Sequence, residues 1–161
     1  MKLRTHVVAG FSIAFSLGVV MGLGIAPSFV GGVLAAFVNY VIDRFGHKGF
    51  RRSPFTHSLF GVAMICLAIF IAISLLIQFL HLYVDPIKFV LFCISVFAGA
   101  TFHLLLDAFT ESGIYLKYPF SKKRFAVTRL RYDNPILNAL VVLASLALVI
   151  SVLMYCAGLM P

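Results

Sequence analysis

Apolar residues fill long uninterrupted stretches of this chain, and polar residues gather where those stretches end. The first stretch, Val7 to Ile42, would be about 54 Å long as a single helix at 1.5 Å per residue. A bilayer core of about 30 Å needs only about 20 helical residues. Ala26-Pro27-Ser28 divides the run, because proline removes a backbone donor and restricts the residue before it. The pattern therefore predicts a first helix over Val7–Ile25 and a second over Phe29–Ile42. The second is short and carries Gly31-Gly32, so it is expected to tilt, thin the bilayer or form a re-entrant hairpin with the first. Further helices are predicted over Phe55–Leu80, Ile87–Phe109 and Ile136–Met160. The expected fold is all-α: a polytopic transmembrane bundle of about five segments, one integral membrane domain over residues 1–161.

Composition supports the membrane reading. Of 161 residues, 62% are apolar and 11% charged, with a mean hydropathy of +1.08. Ordinary soluble domains are roughly 45–50% apolar and about 25% charged. A soluble fold of this size keeps much of its chain at the surface and has nowhere to hide the excess. Disorder, collagen and a disulfide scaffold are excluded on the same grounds. Cys66, Cys93 and Cys156 fall inside apolar stretches without metal-binding spacing and read as small hydrophobes. Met1-Lys2-Leu3-Arg4 before an apolar run resembles a signal peptide, but no small-x-small cleavage site ends that run.

Charge then orients the bundle. There are 13 Lys and Arg against five Asp and Glu. With five spans and the N-terminus inside, every basic residue except Lys88 falls in the N-terminal tail, residues 43–54 or residues 110–135. Basic residues favour the cytoplasmic side, so the N-terminus is expected inside and the C-terminus outside. The excess needs no nucleic acid to explain it, and no base-reading module is present. Residues 111–135 interleave lysines and arginines with aromatics and suit the headgroup region of anionic lipid.

The candidate chemistry lies at one depth. His6 opens the first helix, Asp43 and His47 follow the second, and His57 begins the third. His103 and Asp107 share a face at the inner end of the fourth, spaced i, i+4. Ionisable groups at membrane depth usually face the protein interior, paired or functional. Six such N and O donors suit a first-row divalent ion, Zn²⁺ first, with Mn²⁺ or Fe²⁺ as alternatives. Plainer readings compete. Asp107 could pair with Arg51 or Arg52, Asp43 with Arg44 or Lys48, and His57 could serve only as a helix-start residue. His81, at the opposite end, reads as an interfacial residue.

Ser53-Pro54-Phe55-Thr56-His57-Ser58-Leu59 and His103-Leu104-Leu105-Leu106-Asp107-Ala108-Phe109-Thr110-Glu111-Ser112-Gly113 resemble the THSL and H-x-x-x-D-x-x-T-x-x-G motifs of the membrane-bound metal-dependent hydrolase family. A small LexA-regulated inner-membrane protein of bacteria typifies that family. Pro119 and the early Thr5-His6 fit as well, and the opening Met1–His6 is similar to an archaeal branch. The likeness runs over roughly the first 125 residues. It implies ligand roles for His6, Asp43, His57, His103 and Asp107. Two positions depart from it: Asn39 stands where the family carries an acid, and Arg52 where it carries a histidine, for which His47 is a possible replacement.

With metal bound, the reading assigns His6, His57, His103 and Asp107 as ligands and Asp43 as a second carboxylate ligand or general base. Arg51 and Arg52 would hold an anionic group, and Ser58 and Thr110 would orient ligands. The function expected is hydrolysis of an ester or phosphoester of a lipid-like substrate, its partner a membrane lipid with an anionic headgroup or another phosphorylated amphiphile. The alternative is a non-catalytic structural or membrane-shaping protein with a structural His/Asp cluster. Ion transport is disfavoured, because no ionisable residue is predicted at mid-membrane depth.

Overall fold

The computed structural model describes residues 1–48 and 51–159. Its helices are α1 (Leu3–Val20), α2 (Ile25–Gly46), α3 (Leu59–Phe79), α4 (Pro86–Ala108) and α5 (Pro135–Cys156). All five are long and apolar enough to cross a membrane. Two-residue strands β1 (His47–Lys48) and β2 (Arg51–Arg52) pair antiparallel after α2, with His47 opposite Arg52.

The expected helix count holds and several boundaries move. α2 is 22 residues long, which corrects the expectation of a short or re-entrant segment. Pro27 does not end it, because a first-turn proline lacks only a donor that has no intrahelical partner there. The Ser28 hydroxyl donates to the Gly24 carbonyl at 2.6 Å in the same turn. The α1–α2 hairpin closes through Gly22 and Gly24 at φ 80° and 84°, a backbone region glycine enters at little cost. α1 begins at Leu3 rather than Val7, so His6 lies inside its first two turns.

α3 starts later than Phe55. Residues 54–57 form a turn, and Ser58 caps the helix by accepting from the Gly61 N–H at 3.1 Å. Asp85 and Asn134 cap α4 and α5 in the same manner, each followed by proline. These caps satisfy backbone donors that the helix itself leaves without partners.

α1, α2 and α4 form the centre of the bundle, with α3 against α4 and α5 against α1. Close approach depends on small residues. A Cβ on Gly99 would meet the Gly10 carbonyl oxygen at 2.5 Å and the Ala14 and Ala35 methyls at 2.9 Å. In lipid such packing holds helices together, because apolar burial no longer distinguishes protein from solvent. Cys66 packs in an apolar cluster with Val38, Ile42, Val62 and Leu104.

Antiparallel alternation brings the start of α1, the end of α2, the start of α3, the end of α4 and the start of α5 to one end. The 109–134 connection folds over that end. Ile114 and Phe125 pair as an antiparallel bridge, Thr110 and Leu130 as a parallel one. The Thr128 hydroxyl donates to the Phe109 carbonyl.

Candidate functional site

The last turns of α4 supply the centre of the site. One helical turn separates His103 from Asp107, and both are fully buried. α1 lays the His6 ring against His103, with centroids 3.9 Å apart and planes 28° apart. The turn before α3 brings His57 in from the side, its ring 5.5 Å from His103 at 61°. His6 and His57 are as fully buried as the α4 pair.

Asp107 is the common neighbour. Its Oδ1 lies 3.2 Å from His6 Nε2, and its Oδ2 lies 3.3 Å from His103 Nε2 and 3.8 Å from His57 Nε2. Despite these approaches, neither nitrogen of His6 or His103 meets hydrogen-bond geometry with any described group. Buried polar atoms in that condition call for an explanation. Half-buried Asp43 has a ligand atom within 4.8 Å of those of His6 and His103, and His57, His103 and Asp107 form a second such trio.

The donor set is one that could hold a divalent first-row ion. Two donors bound about 2.1 Å from one tetrahedral ion lie about 3.4 Å apart. The 3.2 and 3.3 Å separations at Asp107 are close to that value, and the donors are the imidazole and carboxylate atoms such ions take. Thr56 Oγ1 shares a 2.9 Å hydrogen bond with His57 Nδ1, the kind of contact that fixes a ligand's tautomer and aims its other nitrogen.

Asp107 also carries fixed cations. Arg52 Nη2 donates to Oδ1 at 2.9 Å, and Nη1 approaches Oδ2 at 2.8 Å while donating to the Gly113 carbonyl at 3.0 Å. The Met1 amino group donates to Oδ1 at 2.8 Å. Arg52 is thus directed at Asp107 and the backbone, matching the ion-pair reading of that residue rather than an arginine reaching outward for substrate. The Ser58 hydroxyl is spent on the α3 cap and the Phe55 carbonyl. The Thr110 hydroxyl donates to the Asp107 backbone carbonyl at 2.8 Å, fixing the end of α4 and not the carboxylate. The side chains of His47 and Arg51 lie outside the described residues. His81 sits in the α3–α4 loop, far from the cluster in the fold, at φ 52°.

Three contributors carry no signal in the spacing of ionisable residues. Asn39, the departure from the acidic motif, is fully buried, and its Nδ2 donates to the His6 carbonyl at 3.1 Å and the Gly99 carbonyl at 3.3 Å. It ties α2 to both helices that carry the stacked imidazoles. Thr56 stands beside His57 in the quoted motif, but the hydrogen bond between their side chains appears only in the fold. Tyr115 accepts from Arg124 Nε at 3.2 Å, and its hydroxyl donates to the Arg52 carbonyl at 3.4 Å. Only the folded connection shows that.

Five membrane-length helices around a buried imidazole–carboxylate centre define a polytopic helical membrane protein with a candidate cation site. The chain belongs to the family of the YdjM inner membrane protein, whose family model matches residues 1–161. Membership establishes a family of inner-membrane proteins, and no reaction comes with it. Comparison with curated proteins and with solved structures returns no match.

Proposed function

We propose that this chain is a metal-dependent hydrolase at a membrane interface, acting on an ester or phosphoester of a lipid-like substrate. One observation carries the reading: imidazole nitrogens of His6 and His103 are buried beside Asp107 without hydrogen-bond partners among the described residues. His6, His57, His103, Asp107 and Asp43 would supply the donors, as two overlapping trios that share His103, for Zn²⁺ before Mn²⁺ or Fe²⁺, with Asp43 a ligand or the general base. Such an ion supplies an activated water near neutral pH and polarises a phosphoryl or carbonyl oxygen. Arg52 holds the Asp107 carboxylate in place, and Thr56 holds the His57 ring. The basic connection favours a cytoplasmic location for this end of the bundle, with the N-terminus inside and the C-terminus outside.

Metal analysis of the purified protein beside His103→Ala and Asp107→Asn tests the site, and unchanged metal in both variants removes it. Lipid phosphatase and phosphodiesterase assays with and without chelator test the reaction. The Arg52 contact on Asp107 favours one competing reading, a structural cluster without catalysis, since the carboxylate already has a cation. Bound metal with no turnover, and unfolding on chelation, would select that reading.

A further inference from the structure

Beyond Tyr115, away from the imidazoles, a cleft of about 420 Å³ opens in the 109–134 connection. Leu116, Lys117, Ser121, Lys123, Arg124 and Phe125 line it. Three of these carry positive charge and none carries a negative one, a composition that favours an anion. We propose that this cleft binds the phosphate headgroup of an anionic phospholipid.

Arg124 is positioned for that task before any ligand arrives. Its Nε donates to the Tyr115 hydroxyl at 3.2 Å, and its guanidinium carbon lies 5.8 Å from the centre of the Tyr115 ring. The paired Nη groups are the fork that matches two phosphate oxygens. A guanidinium held in advance loses less freedom on binding. Part of the lining is a turn in which the Ser121 N–H donates to the Lys117 carbonyl at 2.9 Å and the Lys123 N–H to Ser121 Oγ at 3.2 Å. It holds Lys117 and Lys123 on one short loop.

The apolar members select a lipid over a free anion. Leu116 and Phe125 are exposed on the cleft, and Phe120 beside it is 97% exposed. Cations next to bare apolar side chains, at the end of a membrane bundle, match a headgroup with acyl chains beneath it. Inorganic phosphate would gain nothing from them.

The cleft is also fastened to the buried centre. Phe125 pairs with Ile114 through two backbone hydrogen bonds of 2.9 and 2.8 Å, and the Tyr115 N–H donates to the His57 carbonyl at 2.9 Å. The Tyr115 hydroxyl reaches the Arg52 carbonyl, and Arg52 grips Asp107. A headgroup held here therefore rests against a continuous chain of contacts ending at the carboxylate. Binding stands by itself; only its role as the substrate cleft rests on the hydrolase reading.

The full-length chain as purified, in uncharged detergent, is titrated with phosphatidylglycerol or phosphatidylcholine, and retained lipid is counted by native mass spectrometry. The wild type should prefer phosphatidylglycerol by up to about a hundredfold, since each of the three cleft cations contributes about a fivefold attraction. The double variant Lys117→Ala/Arg124→Ala keeps only Lys123 in the cleft and should fall to about a fivefold preference. Lys122→Ala/Arg129→Ala removes two cations of the same segment outside the cleft and should keep the wild-type preference. Equal retention of both lipids by the wild type overturns the proposal, as does equal loss in the two double variants. Full displacement of phosphatidylglycerol by inorganic phosphate would assign the cleft to free phosphate and overturn the lipid assignment. Thermal unfolding of each variant separates lost binding from lost fold. Because lipid retention is counted without turnover and on variants that keep His6, His57, His103 and Asp107, a failed metal analysis and a failed lipid preference are independent results.

Discussion

Arg52 closes a two-pronged contact on Asp107, with Nη2 2.9 Å from Oδ1 and Nη1 2.8 Å from Oδ2. The two residues are 55 positions apart and join the β1–β2 hairpin to the end of α4. Both are buried, so water does little to screen the pair. Breaking a buried pair from one side leaves an uncompensated charge, which costs about 3–5 kcal/mol. Arg52→Ala should lower stability by less than that, about 2–3 kcal/mol, because the Met1 amino group still compensates Asp107. Arg52→Lys should recover part of the loss, since it restores charge without the paired geometry. Unfolding midpoints in detergent measure both, and an unchanged midpoint for Arg52→Ala would mean the contact does not hold this end of the bundle.

His6→Ala and His103→Ala should each bring bound metal close to background, because each removes a buried imidazole next to Asp107. His81→Ala, in the loop at the other end, should leave metal content unchanged. Elemental analysis of the three purified variants decides this, and equal metal in all three would place the ion elsewhere.

Thr56→Val should weaken metal affinity by about 10–100-fold through the His57 ring. The stability cost should stay near 1 kcal/mol, the typical net worth of one hydrogen bond. A competition assay with a chromogenic chelator measures the affinity. An affinity equal to wild type would show that the 2.9 Å contact at Nδ1 does not aim the ring.

Gly99→Ala should destabilise the protein by about 1–3 kcal/mol, the usual cost of an added methyl where there is no room. The new Cβ would press on the Gly10 carbonyl and spread α1 from α4, so metal content should fall alongside the melting midpoint. Asn39→Leu should cost about 1–2 kcal/mol by removing hydrogen bonds to both helices. Wild-type midpoints in both variants would remove the crossing as the support of the His6–His103 stack.

Much of this architecture follows from one-dimensional rules. Apolar run length fixed five crossings, and Asp133-Asn134-Pro135 announced the start of α5. Helix ends were harder to place. Pro27 reads as a breaker but sits in a first turn, where its missing donor costs little. Phe55 reads as helical, yet Ser58 captures the Gly61 N–H and starts α3 four residues later. At the site, i, i+4 spacing put His103 and Asp107 on one face, and helix-end positions brought His6, Asp43 and His57 to the same level. The share of Arg52 between Asp107 and an external anion could not be read, because both choices need a buried guanidinium of the same sequence. Asn39 and Tyr115 act through backbone carbonyls of residues far along the chain, and no local pattern encodes such partners.

His6, His57, His103 and Asp107 have no accessible surface at all. Half-buried Asp43, with a ligand atom within 4.8 Å of those of His6 and His103, gives the cluster a less covered side. An ion held there would exchange at a pace set both by how often the covering parts move and by how firmly the donors hold it, so a scavenger's strength and its time of exposure would both count.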